Sequence, residues 1–562
     1  MTTILDLIPT GSDTAAVVCD GRTLTYRELN EHAGRLAADL RRRGVRADDI
    51  VGIRLPRGID FVIAILATWK AGAAYLPLDP ALPAARLDHM ITDSRPTTIL
   101  TDVDALSATP FTADIRPDQA AYVIYTSGTT GQPKGVVNTH EGLLNLVTGL
   151  APFYGLQPGD PALQFASFNF DAATADIALA LTGGATLIIA TSEERNHPAQ
   201  LIDQHQIRHL NISPTLLATL GDLPADSTLI VGSEPFPPRL AQAWAGNHLV
   251  HNAYGPTEAA VITTVAVLTG NETKPPIGRP LPNTGVYLLD QHLNPMPTGE
   301  IHLTGPSLAR GYLQRPALTA ERFVPDPFTT DGSRMYRTGD LARQLPDGNL
   351  DHLGRTDQQL KIRGHRIEPA EVEHALTRHP QISAAVVLGH EGQLIAYVVP
   401  DGGLPNAREL RDLLGATLPD YMIPALFVEI SGIPLTVNGK RDLTALPAPR
   451  QAITTGHVSP ATATEQVIAG IWGGLFGLDR VGAEDNFFDL GGHSLIATQV
   501  IAAIRRRFGI DLTAAEFYDH ATVRAVAVLV EERILRQIEQ MSEDEALESL
   551  DAPSPHRGDS AR

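Results

Sequence analysis

The chain has 562 residues, 43% of them hydrophobic, a formal charge of −20 and one cysteine, Cys19. That length predicts about three to four domains, the lone cysteine excludes an internal disulfide and a Cys-based zinc cluster, and so acidic a chain lacks the basic patch that nucleic-acid binding needs. No stretch is long and apolar enough to span a membrane and no cationic segment precedes a hydrophobic run at the N-terminus, so the expected location is cytoplasmic, with no membrane partner.

Up to about residue 356, short apolar runs at 50–55, 98–100, 121–125, 185–190 and 228–231 read as buried strands. Helix-period segments such as 60–71 and 141–150 lie between them. This alternation predicts an α/β lobe with largely parallel sheets over 1–356. Residues 357–445 hold helix signals at 371–377 and 407–414 and strand signals at 384–388, 394–399 and 427–430, which is enough for a small α+β lobe. Residues 446–461 lack apolar periodicity and read as a linker. From 462 to 537 apolar residues recur at three- and four-residue spacing, as in Ile468, Ile471, Trp472 and Leu475, and predict a small all-α four-helix bundle. The polar segment 538–562 is expected to be a disordered tail.

Two segments carry chemistry. Ser127-Gly-Thr-Thr-Gly-Gln-Pro-Lys-Gly135 leaves a predicted strand. Its glycines let backbone N–H groups close around an anion; Thr126, Ser127, Thr129 and Thr130 add hydroxyls, and Lys134 a positive charge. The spacing from Gly128 to Lys134 rules out a Walker A loop. The second segment, Asp489-Leu-Gly-Gly-His-Ser-Leu495, places Ser494 at the start of an amphipathic helix, and read alone it is an N-cap serine.

The phosphate loop is followed and preceded, in order, by Leu24-Thr-Tyr-Arg-Glu-Leu29, Lys70-Ala-Gly-Ala-Ala-Tyr-Leu-Pro-Leu-Asp79, Asn252-Ala-Tyr-Gly-Pro-Thr-Glu258, Tyr336-Arg-Thr-Gly-Asp340, Gly354-Arg-Thr-Asp-Gln-Gln-Leu-Lys-Ile-Arg-Gly364, Leu418-Pro-Asp-Tyr-Met-Ile-Pro424 and Asn438-Gly-Lys440. This series resembles the core motifs of a nonribosomal peptide synthetase adenylation domain, over nearly all of residues 10–445. The segment from Asn486 to Leu495 is similar to the attachment site of a peptidyl carrier domain. The resemblance implies ATP and Mg²⁺ as ligands of the large lobe and 4′-phosphopantetheine on Ser494, installed by a phosphopantetheinyl transferase. It implies that Thr126, Ser127, Gly128, Thr129, Thr130, Gly131 and Lys134 hold the phosphates, Tyr254 stacks on adenine, Asp340 takes the ribose hydroxyls, and Arg355 contacts ribose and phosphate. It also implies Thr257 on the α-phosphate, Glu258 on Mg²⁺, Asp357 as the hinge between lobes, and Lys440 as the catalytic charge. These types suit the chemistry: a carboxylate fits a diol, Mg²⁺ prefers hard oxygens, and a flexible lysine reaches both the substrate carboxylate and the α-phosphate. His352 stands where the family usually has Tyr or Phe.

By the same resemblance Asp171 pairs with a substrate α-ammonium, and Ala172, Ala175, Asn211, Ile230, Gly232, Ala253, Val261 and Ile262 line the side-chain pocket. Only Asn211 among these eight is polar. An ionised side chain would be buried unpaired there, so the expected substrate is an amino acid with a medium or large neutral side chain, a hydrogen-bonding aromatic first and a branched aliphatic second. No His-His-x-x-x-Asp-Gly condensation motif and no thioesterase elbow occurs. The expectation is therefore a stand-alone didomain that loads one amino acid onto its own arm for a downstream condensation or tailoring enzyme. An MbtH-like helper, needed by many relatives from GC-rich bacteria, is left open as a further partner. The alternatives are a ligase for a non-amino or unusual amino acid, a coenzyme A ligase, or a carrier protein with an inactive adenylation lobe.

Overall fold

A computed structural model describes residues 2–104, 109–128, 131–390, 392–436, 441–448, 458–487, 490, 492 and 494–540. The expected ligands Thr129, Thr130 and Lys440, and the expected tail from 541 onward, lie outside the described residues. Two compact units result, 1–392 with 409–423 and 393–408 with 424–562.

In the first unit the described residues form a nine-stranded, a six-stranded and a five-stranded sheet, and a two-stranded hairpin of Leu360–Ile362 with His365–Ile367. The centre of the nine-stranded sheet is parallel: Pro161–Gln164, His209–Ile212, Thr228–Val231 and Leu249–Tyr254 run side by side. Parallel strands need covering on both faces, and the helices supply it. Ile59–Lys70 is buried at every residue but Asp60, because it touches strand Ala15–Cys19 of the nine-stranded sheet as well as Ile50–Ile53 and Ala74–Pro77 of the six-stranded one. Helix Asp171–Thr182 packs on Pro161–Gln164 and Thr186–Ile189. Its first residue, Asp171, is thereby held at the C-terminal end of the parallel strands, where open α/β sheets bind ligands.

Two expected strands keep their bounds, Thr98–Leu100 and Thr228–Val231, while 141–150 is lengthened to His140–Tyr154 and 371–377 appears as Pro369–Leu376. In the second unit Gln393–Pro400 pairs in parallel with Leu426–Glu429. Its carrier part has four helices among the described residues, Ala463–Phe476, Ser494–Phe508, Ala514–Asp519 and Val523–Gln540. The short third helix has weak periodicity but carries a capping box, Thr513 with Glu516. An aromatic cluster fills the core: Phe487 lies 5.4 Å from Trp472 and 4.8 Å from Phe517, the second pair nearly perpendicular at 85°. Among the described residues no helix is long and apolar enough to cross a membrane.

Gly492 sits under this cluster. Its N–H donates to the Phe487 carbonyl at 2.8 Å, and a Cβ would stand 2.3 Å from that oxygen and 2.4 Å from the Phe487 ring. The glycine is thus required by close approach, two residues before Ser494 begins its helix. Gly492→Ala is expected to lower the melting transition of the carrier helices by roughly 5–10 °C, from about 1–3 kcal/mol of overpacking. Scanning calorimetry of the whole chain checks this.

Candidate active site

A cavity of about 250 Å³ opens where the strand ends converge in the first unit. Thr126 and Ser127 reach it from the end of Ala120–Thr126, Asp171 and Ala172 from the start of their helix, Asn211 from His209–Ile212, and Thr257 from the turn after Leu249–Tyr254. Asp340 and Arg355 enter from Arg334–Gln344 and Leu350–Arg355; Lys361, His365 and Arg366 come from the hairpin.

On one side Asp340 is the centre of a polar cluster. It accepts from the Tyr254 hydroxyl at 2.7 Å and from Arg355 Nη1 at 2.8 Å, and His352 Nε2 lies 3.1 Å away. Burial would raise this carboxyl, but the His352 hydrogen bond, the charges of Lys361 and Arg355 and the Tyr254 hydroxyl together hold it well below the ordinary carboxylate range. Arg355 is gripped from its other edge by Asp357, at 2.6 and 2.8 Å, so the expected hinge aspartate fixes the expected ribose contact. Gly339, at φ +76°, leaves room for that guanidinium, which would stand 2.8 Å from a Cβ. The Tyr254 ring is buried, with Lys361 Nζ 5.2 Å from its centre and His352 beside it at 6.1 Å.

The phosphate loop meets the segment after the hairpin. Thr126 Oγ1 is buried with no hydrogen-bond partner among the described residues. Ser127 Oγ donates to the Arg366 carbonyl at 2.8 Å, and the Gly128 N–H donates to Glu371 at 3.3 Å. Glu371, buried and paired with Arg86 at 2.8 Å, is a carboxylate set against an anion-gripping loop. Gly131 takes φ +76°, the left-handed turn its type permits. Lys134 is buried, 4.0 Å from Glu258 and 4.4 Å above the Tyr312 ring.

Glu258 is fully buried. Burial pushes its carboxyl up, but the charges of Arg366 and Lys134 and hydrogen bonds from Tyr312 and Arg366 outweigh that and bring it down to about 2. Arg366 Nη1 reaches one oxygen at 2.6 Å and the Tyr312 hydroxyl the other at 2.8 Å. An ionised hard oxygen at this point fits Mg²⁺, but only once Arg366 withdraws. The orphaned Thr126 hydroxyl and the Asp340–Arg355 pair fit a nucleotide.

On the opposite wall Asp171 faces Thr257, and its Oδ2 is buried without a hydrogen-bond partner among the described residues. Burial drives this carboxyl up to about 6 against the Thr257 and backbone hydrogen bonds, with the Glu258 charge adding to the rise. Of the other expected pocket residues, Ala172 and Asn211 lie on the cavity wall. Ala175, Ile230, Ala253, Val261 and Ile262 are packed in the core cluster that Ala172 adjoins. Gly232 brings its backbone so near Ala253 that a Cβ would lie 2.8 Å from the Ala253 carbonyl oxygen.

Two features escape sequence reading. His365 stacks parallel on Tyr421, with ring centres 4.0 Å apart, and Phe170 lies 4.9 Å from His365; burial and the charges of Arg195 and Arg363 lower the imidazole to about 4, so it is neutral. Asp176 is 4% exposed inside an otherwise apolar stretch of helix. That isolated acid was the available signal. Ser494 opens its helix as expected, and its side chain lies outside the described atoms.

The family described as "AMP-binding enzyme" matches residues 9–115 and 106–313, its C-terminal domain matches 371–440, and "Phosphopantetheine attachment site" matches 466–530. The chain belongs to the AMP-binding enzymes, as an adenylation domain of the nonribosomal peptide synthetase kind joined to a carrier domain. It is 40% identical over 555 residues to the dimodular nonribosomal peptide synthase of Bacillus subtilis, covering 91% of this chain and 23% of that protein. It is 40% identical over 558 residues to phosphinothricin tripeptide synthetase PhsC of Streptomyces viridochromogenes, covering 92% of this chain and 51% of that one. The chain thus spans about a quarter to about half of these relatives. Among solved structures, a holo nonribosomal peptide synthetase protein containing adenylation and carrier domains, bound to a vinylsulfonamide inhibitor, shares 28% identity at a TM-score of 0.79; the match covers 95% of this chain and 97% of that one.

Proposed function

We propose that the chain activates an α-amino acid with a neutral side chain at the expense of ATP and transfers the activated acyl group to its own carrier. The carrying observation is that one cavity joins phosphate-loop hydroxyls and the Asp340–Arg355 pair to Asp171, whose buried Oδ2 has no hydrogen-bond partner among the described residues. An ammonium supplies that partner, and an acid without one leaves the carboxylate buried unpaired.

In the first step a substrate carboxylate oxygen bonds to the α-phosphorus of ATP. The bond from that phosphorus to the bridging oxygen breaks, and pyrophosphate leaves with the electron pair. The substrate is already ionised, so no general base is needed and the residues act by position and charge. Asp171 orients the ammonium end, Thr257 and the phosphate loop the α-phosphate, and Lys440 neutralises the charge that develops there. Glu258 and the phosphates would hold Mg²⁺, which supplies further charge neutralisation. Since Arg366 and Glu371 occupy Glu258 and Gly128 in the structure described, the 366–371 segment has to retire for this step; the hinge at Asp357 provides the place to bend. Ser494 would hold a 4′-phosphopantetheine group, placed there by a phosphopantetheinyl transferase, and that group would supply the thiol for acyl transfer with release of AMP. A condensation or tailoring enzyme then takes the acyl group, and an MbtH-like helper is a candidate partner of the large lobe.

ATP–pyrophosphate exchange over a panel of amino and non-amino acids tests this reading. Exchange dependent on one or a few amino acids is expected. Exchange that depends only on acids lacking an α-amino group, or no exchange with or without a helper, overturns it.

A further inference from the structure

Asp176 lies one helical turn beyond Ala172, at 4% exposure, where an ionisable group is costly unless its oxygens are matched. One oxygen is matched: Asn211 Nδ2 donates to Oδ1 at 2.9 Å. The other, Oδ2, is buried without a hydrogen-bond partner among the described residues. Arg57 contributes positive charge nearby, yet spends its N–H groups on the carbonyls of Gln164, Ala166 and Ala190 and on the Gln164 side chain. Burial lifts the Asp176 carboxyl to about 7 against the Asn211 hydrogen bond, the Arg57 charge and the nearby Gln164 amide. In its ionised form the carboxyl only accepts, so Oδ1 takes the Asn211 N–H.

A carboxyl acceptor removes the usual freedom of an amide to turn over. The NH₂ arm of Asn211 has to face Asp176, which leaves the carbonyl Oδ1 on the other arm. On its strand Asn211 is the partly exposed residue among buried neighbours, and it is the polar member of the expected pocket that reaches the cavity wall.

We propose that Asp176 is a positioning residue that locks the Asn211 carbonyl oxygen toward the cavity, so that the pocket selects amino acids whose neutral side chain carries a hydrogen-bond donor. The inference rests on the amino-acid-activating reading above. A donor-free analogue of the same shape leaves Oδ1 desolvated and unpaired, and sites built around such a bond reject the analogue strongly. A cationic donor is disfavoured, because an acid with its carboxyl near 7 is a poor counter-ion at neutral pH.

Exchange kinetics with shape-matched pairs provide the test: tyrosine against 4-fluorophenylalanine, tryptophan against naphthylalanine, glutamine against methionine, asparagine against leucine. The donor member of the accepted pair is expected to be favoured at least about 10-fold in kcat/KM. In Asp176→Asn the new amide lets Asn211 turn over; the preference is expected to shrink to within about 3-fold through KM for the amino acid, with KM for ATP unchanged. Equal or better use of donor-free members by the unaltered chain overturns the inference and leaves amino-acid activation standing, whereas exchange with no amino acid overturns both. Full preference retained in Asp176→Asn overturns the positioning role. Should that variant not fold, Asn211→Leu, which removes the acceptor at constant shape, has to abolish the preference, and its retention is the overturning result.

Discussion

Replacing Ser494 by alanine is expected to abolish covalent loading of the chain completely while leaving amino-acid-dependent pyrophosphate exchange within about 2-fold of the unaltered chain. The two activities separate because exchange needs the cavity residues of the first unit and Lys440 but no attachment point, whereas loading needs the serine at the start of helix Ser494–Phe508. Intact mass after treatment with a phosphopantetheinyl transferase, ATP, Mg²⁺ and amino acid reads both events on one molecule. The unaltered chain should gain the mass of the arm and then of one aminoacyl group, and the alanine variant neither. An unaltered chain that takes the arm and exchanges pyrophosphate but gains no aminoacyl mass would sink the transfer half of the proposal. Loading of free coenzyme A by the Ser494→Ala chain would instead make it a coenzyme A ligase.

The second large effect belongs to Asp171. Asp171→Asn keeps the shape and removes the charge facing the ammonium, and it is expected to lower kcat/KM for the amino acid by about 100-fold, roughly 3 kcal/mol. KM for ATP should change little. The pH dependence has a definite sign. Only the ionised carboxylate pairs with the ammonium, and burial has raised this group to about 6 in the free site, so kcat/KM for the amino acid should fall as pH drops below about 6. Stability runs the other way. A carboxyl whose folded value lies above the unfolded one binds more protons in the native state, so the substrate-free chain should lose stability as pH rises from about 4 to about 6. In Asp171→Asn this contribution to the slope should vanish. A pH profile of kcat/KM that is flat between 5 and 7 would remove Asp171 from the ammonium site.

Much of the molecule is legible along the chain because its signals are local. Glycine spacing, hydroxyls and one lysine between Thr126 and Gly135 announce an anion loop, and short apolar runs and period-3.6 patterning locate Thr98–Leu100, Thr228–Val231 and the long carrier helices to within a residue or a turn. The expected order of an α/β lobe, a smaller lobe over 357–445 and a helical carrier rests on where that patterning changes, whereas the two compact units of the structure divide 357–445 between them. Asp171, Asp340, Arg355 and Thr257 line one cavity.

Charge state and pairing were decided only by tertiary structure. Glu258 is held down to about 2 by Arg366, 108 residues further along the chain, and no local pattern around Glu258 says that its oxygens are occupied. Glu371 faces the Gly128 N–H across 243 residues, and His365 finds its stacking partner in Tyr421. Asp176 shares its helix with Asp171, and folding alone sets it 2.9 Å from the Asn211 amide and buries it. Burial, hydrogen-bond pairing and Coulomb interaction are properties of distance through space, and they assign roles to carboxylates that look alike in the chain.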